Sequence, residues 1–266
     1  MNIGFFDSGL GGLFVLHHVI QKLPAYHYVF LGDTVNVPYG TKSDEEIYTL
    51  VKKSLCMFFD HNCQLVIFAC NTASVTALKH IQNEFLPEFF PDRKVLGVII
   101  PTVEEAIARE SKTVAIIGTE RTIRSGKYNR ELSKLDPRIN VIALATPTLV
   151  PLIEQGLLPK AEEEAIALIR NKILPASPDT LILGCTHYGL LKVKLRETFP
   201  DLRILAQEEI IPEKLKSYLA KHSEIEGVLA RDSRREFFLT KITPTYTEAI
   251  HQWIGEFPIT SYTPKP

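Results

Sequence analysis

The sequence predicts an α/β protein built as two pseudo-symmetric α/β domains, with mainly parallel sheets and a functional site in the cleft between them. Three observations carry this expectation. Short apolar runs alternate with helical patterns along the chain, the runs are continuously apolar, and the first half of the pattern recurs in the second. At 266 residues the chain is long enough to bury a full core as one large domain or two smaller ones.

The runs are NIGFF (2–6), YVFLG (28–32), QLVIFA (64–69), KVLGVI (94–99), TVAIIG (113–118), NVIAL (140–144), TLILG (180–184) and RILA (203–206). Strands without polar alternation belong in parallel sheets covered on both faces. Between them, Ser43 and Glu46 have capping-box spacing, and Ile47, Leu50, Val51, Leu55 and Phe58 then trace one helical face. The last sixty residues read as a helix around PEKLKSYLAKH, a strand REFFLTK and a helix PTYTEAIHQWIG. This segment is expected to return and complete the first domain, giving 1–97 plus 207–266 as one domain and 98–206 as the other.

The internal repeat sets the division. QLVIFACNTAS (64–74) and DTLILGCTHYG (179–189) share the order strand, Cys, polar pair, helix, with Cys70 and Cys185 separated by 115 positions. NIGFFDSG and TVAIIGTERTIRSG start at 2 and 113, nearly the same offset. A pseudo-two-fold axis would then bring Cys70 and Cys185 to face each other across a cleft.

Composition excludes several function classes. Lys plus Arg (30) and Asp plus Glu (31) nearly cancel, so no global field draws the chain to nucleic acid or to an anionic membrane. The MNIGFF start shows neither a basic leader nor a cleavable apolar stretch, and no apolar run is long enough to span a bilayer, which points to the cytoplasm. The four cysteines, Cys56, Cys63, Cys70 and Cys185, follow neither a disulfide framework nor a C-x-x-C metal pattern. Free thiols and no metal are expected.

Ligands of open parallel sheets collect outside the carboxyl ends of the strands. The polar residues at those ends are Asp7-Ser8, Asp33, Cys70-Asn71-Thr72 and Cys185-Thr186-His187. A lone cysteine is by default a small buried apolar residue, and Cys56 and Cys63 are assigned no role. Cys70 and Cys185 differ because each stands at a strand-to-helix junction, where helix amides favour a thiolate. Asn71, Thr72 and Thr186 can act as helix caps, and amides near them can grip a carboxylate. His187 can be a structural histidine or can assist a neighbouring thiol. Asp7 can cap its own turn or orient a substrate ammonium.

The glycines of DSGLGGLF do not form a dinucleotide fingerprint, since Phe14 stands where a glycine is needed. They are expected to let backbone approach a small ligand. Two facing thiols suit inversion of a carbon stereocentre, one removing a proton from one face and the other delivering a proton to the opposite face. The carbanion must be held by amides and positioned charges if no cofactor holds it; no lysine motif for a pyridoxal Schiff base is evident, and no cofactor is expected.

These residues resemble the aspartate/glutamate racemase superfamily, and its glutamate-specific branch in particular. The resemblance runs through FDSGLGG (6–12), GDTVNVPYG (32–40), ACNTAS (69–74), IGTERTIRSGKY (117–128), PLIEQG (151–156) and GCTHYGLL (184–191). It implies that Cys70 and Cys185 are the acid/base thiols, Cys70 acting on the D enantiomer and Cys185 on the L, with Asp7, His187, Glu154 and Asp33 assisting. It also implies substrate contacts at Asp7, Ser8, Asp33, Tyr39, Gly40, Asn71, Thr72, Thr186 and His187. Glutamate is the implied small-molecule substrate, D-glutamate for peptidoglycan the implied product, and a homodimer is left open.

The aspartate-specific branch usually reads Cys-Thr-Glu at the second thiol, so His187 favours glutamate. An amino-acid-binding relative without catalysis, or a dithiol redox protein, would be distinguished by α-deuterium uptake and by the response to reductant. Three places depart from the family pattern. Asn36 replaces a common arginine, Thr146 replaces a cysteine before Pro147, and 206–215 lacks an expected Asp-Ser-rich segment.

Overall fold

The structure, a computed structural model, describes residues 1–264. Among the described residues, ten strands form two sheets: β1 (Asn2–Asp7), β2 (Tyr28–Gly32), β3 (Cys63–Phe68), β4 (Lys94–Gly97), β5 (Thr113–Gly118), β6 (Asn140–Ala145), β7 (Thr180–Gly184), β8 (Arg203–Leu205), β9 (Arg235–Leu239) and β10 (Ile259–Ser261). The six-stranded sheet runs β10-β9-β2-β1-β3-β4 and the four-stranded sheet β6-β5-β7-β8. Every pairing is parallel.

The order β2-β1-β3-β4 is repeated as β6-β5-β7-β8, so the internal repeat in the sequence is a repeat of topology. In each copy the chain steps from the first strand to opposite sides, which opens a crevice beyond the carboxyl ends. Cys70 follows β3 and Cys185 follows β7, at equivalent strands.

Burial explains the unbroken apolar runs. In the larger sheet Ile3, Phe5 and Phe30 enter one core while Phe6, Val29 and Phe68 enter another on the opposite face. In the smaller sheet Ala115 and Leu181 face one core and Val114 and Ile182 the other. Period-two side chains thus meet helices on both faces. The capping box forms as read, with Glu46 N donating to Ser43 Oγ at 3.2 Å and Ser43 N to Glu46 Oε2 at 2.8 Å. It opens the helix Asp44–Asp60.

Two differences from the expected elements have local causes. The KVLGVI strand stops at Gly97; Val98 is already helical in backbone and Ile99 begins the helix Ile99–Ala108, whose Ile99 and Val103 pack under the smaller sheet. The helix expected around PEKLKSYLAKH starts a turn earlier, at Gln207, and runs to Lys221. It leaves the smaller sheet after β8 and packs Ile211, Leu215 and Leu219 into the core shared with Val15, Leu16 and Val19 of the helix Gly11–Lys22. No helix among the described residues is long and apolar enough to cross a membrane.

The seam between the sheets is close-packed. A Cβ on Gly11 would collide with the Thr186 hydroxyl and lie 2.9 Å from the backbone nitrogen of His187, while one on Gly12 would lie 2.6 Å from Asp7 Cβ. Gly11 therefore admits the loop after β7, and Gly12 admits Asp7. The expected role of these glycines, making room for a ligand, gives way to making room for protein. Gly11→Ala is expected to cost about 1–3 kcal/mol by overpacking, read as a lower denaturation midpoint. Gly40→Ala, with nothing within 4 Å of the added atom, is expected to change stability by less than about 0.5 kcal/mol.

Candidate active site

Cys70 ends the β3 run as N-cap of the helix Asn71–Thr76, and its sulfur accepts from Ala73 N at 3.4 Å. Ser8, just past β1, places its hydroxyl 3.2 Å from the same sulfur. Cys70 is 5 % exposed. Burial, and then the Asp7 carboxylate, push its thiol up to about 12, against the smaller opposing pull of Ser8 and Ala73 N. At neutral pH this sulfur carries its proton.

Cys185 has other company. Its sulfur lies 3.8 Å from Nδ1 of His187, whose Nε2 lies 3.0 Å from Glu154 Oε1. The turn Thr186–Leu191 presents His187 and the C-terminal end of the helix Leu149–Glu154 presents Glu154. Burial alone would lower the imidazole pKa; the Cys185 sulfur and the Glu154 carboxylate outweigh it and push His187 well above the ordinary histidine range.

Asp7 joins the two surroundings. One carboxylate oxygen accepts from Gly9 N at 2.9 Å and the other from the Thr186 hydroxyl at 3.3 Å. Its carboxyl is pushed up by burial, against the opposing charge of His187 and the amides of Gly9 and Gly12. Asp7, Ser8, Thr186, His187 and Glu154 thus gather around the two thiols. All four cysteines are free.

Other expected site residues are placed differently. Asp33 is buried with both carboxylate oxygens engaged: Tyr39 OH donates to Oδ2 at 2.7 Å, Thr240 Oγ1 to Oδ1 at 3.0 Å, and Asn36 Nδ2 to both at 3.0 Å. It pins Tyr39 under the PYG turn. Gly40 is exposed and lines a cavity of about 470 Å³ with Val75, Thr76, Glu120 and Arg121. The Asn71 and Thr72 side chains are engaged across the seam. The Thr72 hydroxyl meets that of Thr119 at 2.9 Å, and Asn71 pairs with Gln207 and Tyr128.

Several residues at the site are assigned no role from the sequence. Thr146 is buried, bonds the Tyr188 hydroxyl at 2.7 Å, and so steadies the residue after His187. Trp253, from the helix Pro244–Ile254, stands edge-on to the His187 ring at 6.0 Å between centroids. Arg121 reaches from the smaller sheet's side to the Asp44 carboxylate and the Lys42 carbonyl, closing the seam beside the cavity.

Residues 14–209 match the family model described as Asp/Glu/Hydantoin racemase. The chain belongs to that family. It is 36 % identical over 245 residues to a glutamate racemase of Roseobacter denitrificans, covering 85 % of this chain and 88 % of the relative. Among solved structures it is similar to a glutamate racemase isoform from Bacillus anthracis, with a TM-score of 0.84, 30 % identity, and 98 % and 97 % of the two chains covered. A glutamate racemase from Francisella tularensis in complex with D-glutamate also gives 0.84, at 25 % identity and the same coverage. As a member of this family the protein is an amino-acid racemase.

His187, held as imidazolium, contributes stability that is fully present below its unfolded value near about 6.5 and is lost as pH rises through its higher folded value. Glu154→Gln is expected to lower the His187 titration midpoint seen by NMR. The stability gap between wild type and variant should be widest in mild acid, just below about pH 6.5, and narrow as pH rises through the folded His187 value. Arg121→Ala is expected to speed iodoacetamide alkylation of Cys70 and Cys185 several-fold relative to exposed Cys56, measured by mass spectrometry of the separate peptides.

Proposed function

We propose that this racemase interconverts L- and D-glutamate by a two-base proton transfer between Cys185 and Cys70, acting in the cytoplasm to supply D-glutamate for peptidoglycan. We read residues 1–97 with 207–266 as one domain of the enzyme and residues 98–206 as the other, residues 265–266 lying outside the described residues. The observation that carries this reading is that equivalent strand ends, β3 and β7, deliver one thiol each to the same seam with unlike partners.

From L-glutamate, Cys185 acts as the thiolate paired with the His187 imidazolium, which Glu154 holds from its other side, and removes the α-proton. Cys70, protonated at rest, delivers its own proton to the opposite face and D-glutamate results. The reverse reaction exchanges the roles, with Asp7 the carboxylate whose charge acts on Cys70. Each group must both give and take a proton, which a histidine-linked and a carboxylate-linked thiol can do.

The carbanion requires electrostatic support. The amides of Asn71 and Thr72 after Cys70, and of Thr186 and His187 after Cys185, open their helical turns and are suited to the substrate α-carboxylate. Asp7 suits its ammonium. Both thiols come from one chain, so a homodimer is not required for chemistry; light scattering gives the assembly state.

The test is glutamate in deuterium oxide without added cofactor, read by α-deuterium uptake and optical rotation. Both are expected. Inversion of aspartate but not of glutamate would overturn the substrate assignment. Cys70→Ala and Cys185→Ala should each lower kcat by at least about a hundredfold while the fold survives. Full activity in either variant would refute the two-thiol mechanism.

A further inference from the structure

We propose that Gln207 is a positioning residue that fixes the spacing of the two thiols through a reciprocal amide pair with Asn71. This rests on the glutamate racemase reading and adds to it a residue outside the family's motifs. Gln207 is 2 % exposed and opens the helix Gln207–Lys221, where the chain leaves the smaller sheet to pack on the larger.

The contacts link the residue after Cys70 to the residue before Cys185. Asn71 Nδ2 donates to Gln207 Oε1 at 2.8 Å, and Gln207 Nε2 donates back to Asn71 Oδ1 at 3.0 Å. The Tyr128 hydroxyl donates to Asn71 Oδ1 at 2.9 Å and lies 3.2 Å from Gln207 Nε2. Asn71 follows Cys70 directly. Tyr128 packs its ring 3.4 Å from where a Cβ of Gly184 would stand, and Gly184 precedes Cys185.

The next residue reaches the other thiol's loop. Glu208, also 2 % exposed, would lie 2.6 Å from a Cβ on Gly189, and it is paired with Lys192 at 2.8 Å. Gly189 belongs to the turn Thr186–Leu191 that carries His187. The Gln207-Glu208 dipeptide therefore touches the Cys70 loop with one side chain and the Cys185 loop with the next.

Two-base inversion requires both sulfurs to reach the same carbon from opposite faces. A displacement of about 1 Å can cost about a hundredfold in rate. Removing the amide pair leaves the buried Asn71 amide short of partners, and the start of the Cys70 helix must shift to recover them.

The experiment follows L-glutamate in deuterium oxide at early conversion with wild type, Gln207→Ala and Gln207→Met. The methionine variant keeps side-chain length without the amide, and covers failure of the alanine variant to fold. When Cys70 is out of reach, Cys185, having exchanged its proton with solvent, returns deuterium to the face it came from. Labelled L-glutamate then accumulates without inversion.

The expected result is a fall in kcat of about ten- to a hundredfold in both directions, with KM changed less than about threefold. Deuterium in recovered L-glutamate, relative to D-glutamate formed, rises. A purely structural role would lower activity only in proportion to folded protein and leave that ratio at the wild-type value, which would overturn the proposal. Wild type that neither exchanges nor inverts glutamate would overturn the underlying reading and this proposal together.

Discussion

A carboxylate at 1 % exposure must find its donors inside the protein, and Asp7 finds them on both sides of the seam. Gly9 N comes from its own turn, the Thr186 hydroxyl from the loop after β7, and the positive charge from His187. Those donors can close on Asp7 only if nothing stands between them. Gly11 and Gly12 supply the room, since a methyl on either would meet the opposing loop or Asp7 itself. The DSGLGG turn is thus the sequence form of one requirement: satisfying a buried charge where two sheets meet.

The scaffold is close to symmetric and the chemistry placed on it is not. Equivalent strands end in Cys70 and Cys185, but Ser8 and Asp7 surround the first and His187 and Glu154 the second. Burial beside a carboxylate keeps the Cys70 proton in place. An imidazole paired with a carboxylate offers Cys185 a proton partner. The proposed two-thiol inversion, whose substrate and product are mirror images, still benefits from unequal resting states, because one thiol must hold a proton when the other does not.

What the sequence made legible was local or periodic. Continuous apolar runs gave the parallel strands, the spacing of Ser43 and Glu46 gave a helix start, and the recurrence of strand, cysteine and helix gave the repeated topology. β10 escaped because Ile259–Ser261 is a three-residue edge strand, largely exposed, without the burial that marks the others. Gln207, Tyr128 and Trp253 escaped for a different reason. They reach the site from far along the chain, Gln207 to Asn71 across 136 positions, and such contacts leave no local pattern. Asp33 and Tyr39 were visible as polar residues near a strand end, but their engagement with each other and with Thr240 is a property of packing.

The departures from the family pattern follow a physical order. Asn36 gives its amide to Asp33, which holds Tyr39; Thr146 pairs its hydroxyl with that of Tyr188, which follows His187; Gln207 gives its amide to Asn71, which follows Cys70. Each altered residue acts on a neighbour of the site, and none replaces a sulfur or its proton partner. Groups that exchange protons with a substrate are limited by chemistry to very few side chains. Groups that only hold those side chains need the right hydrogen-bonding capacity and length, which several residues satisfy. The seam of this enzyme therefore takes an asparagine, a threonine and a glutamine as supports, set apart from the proposed acid/base groups, the two thiols, Asp7 and the His187–Glu154 pair.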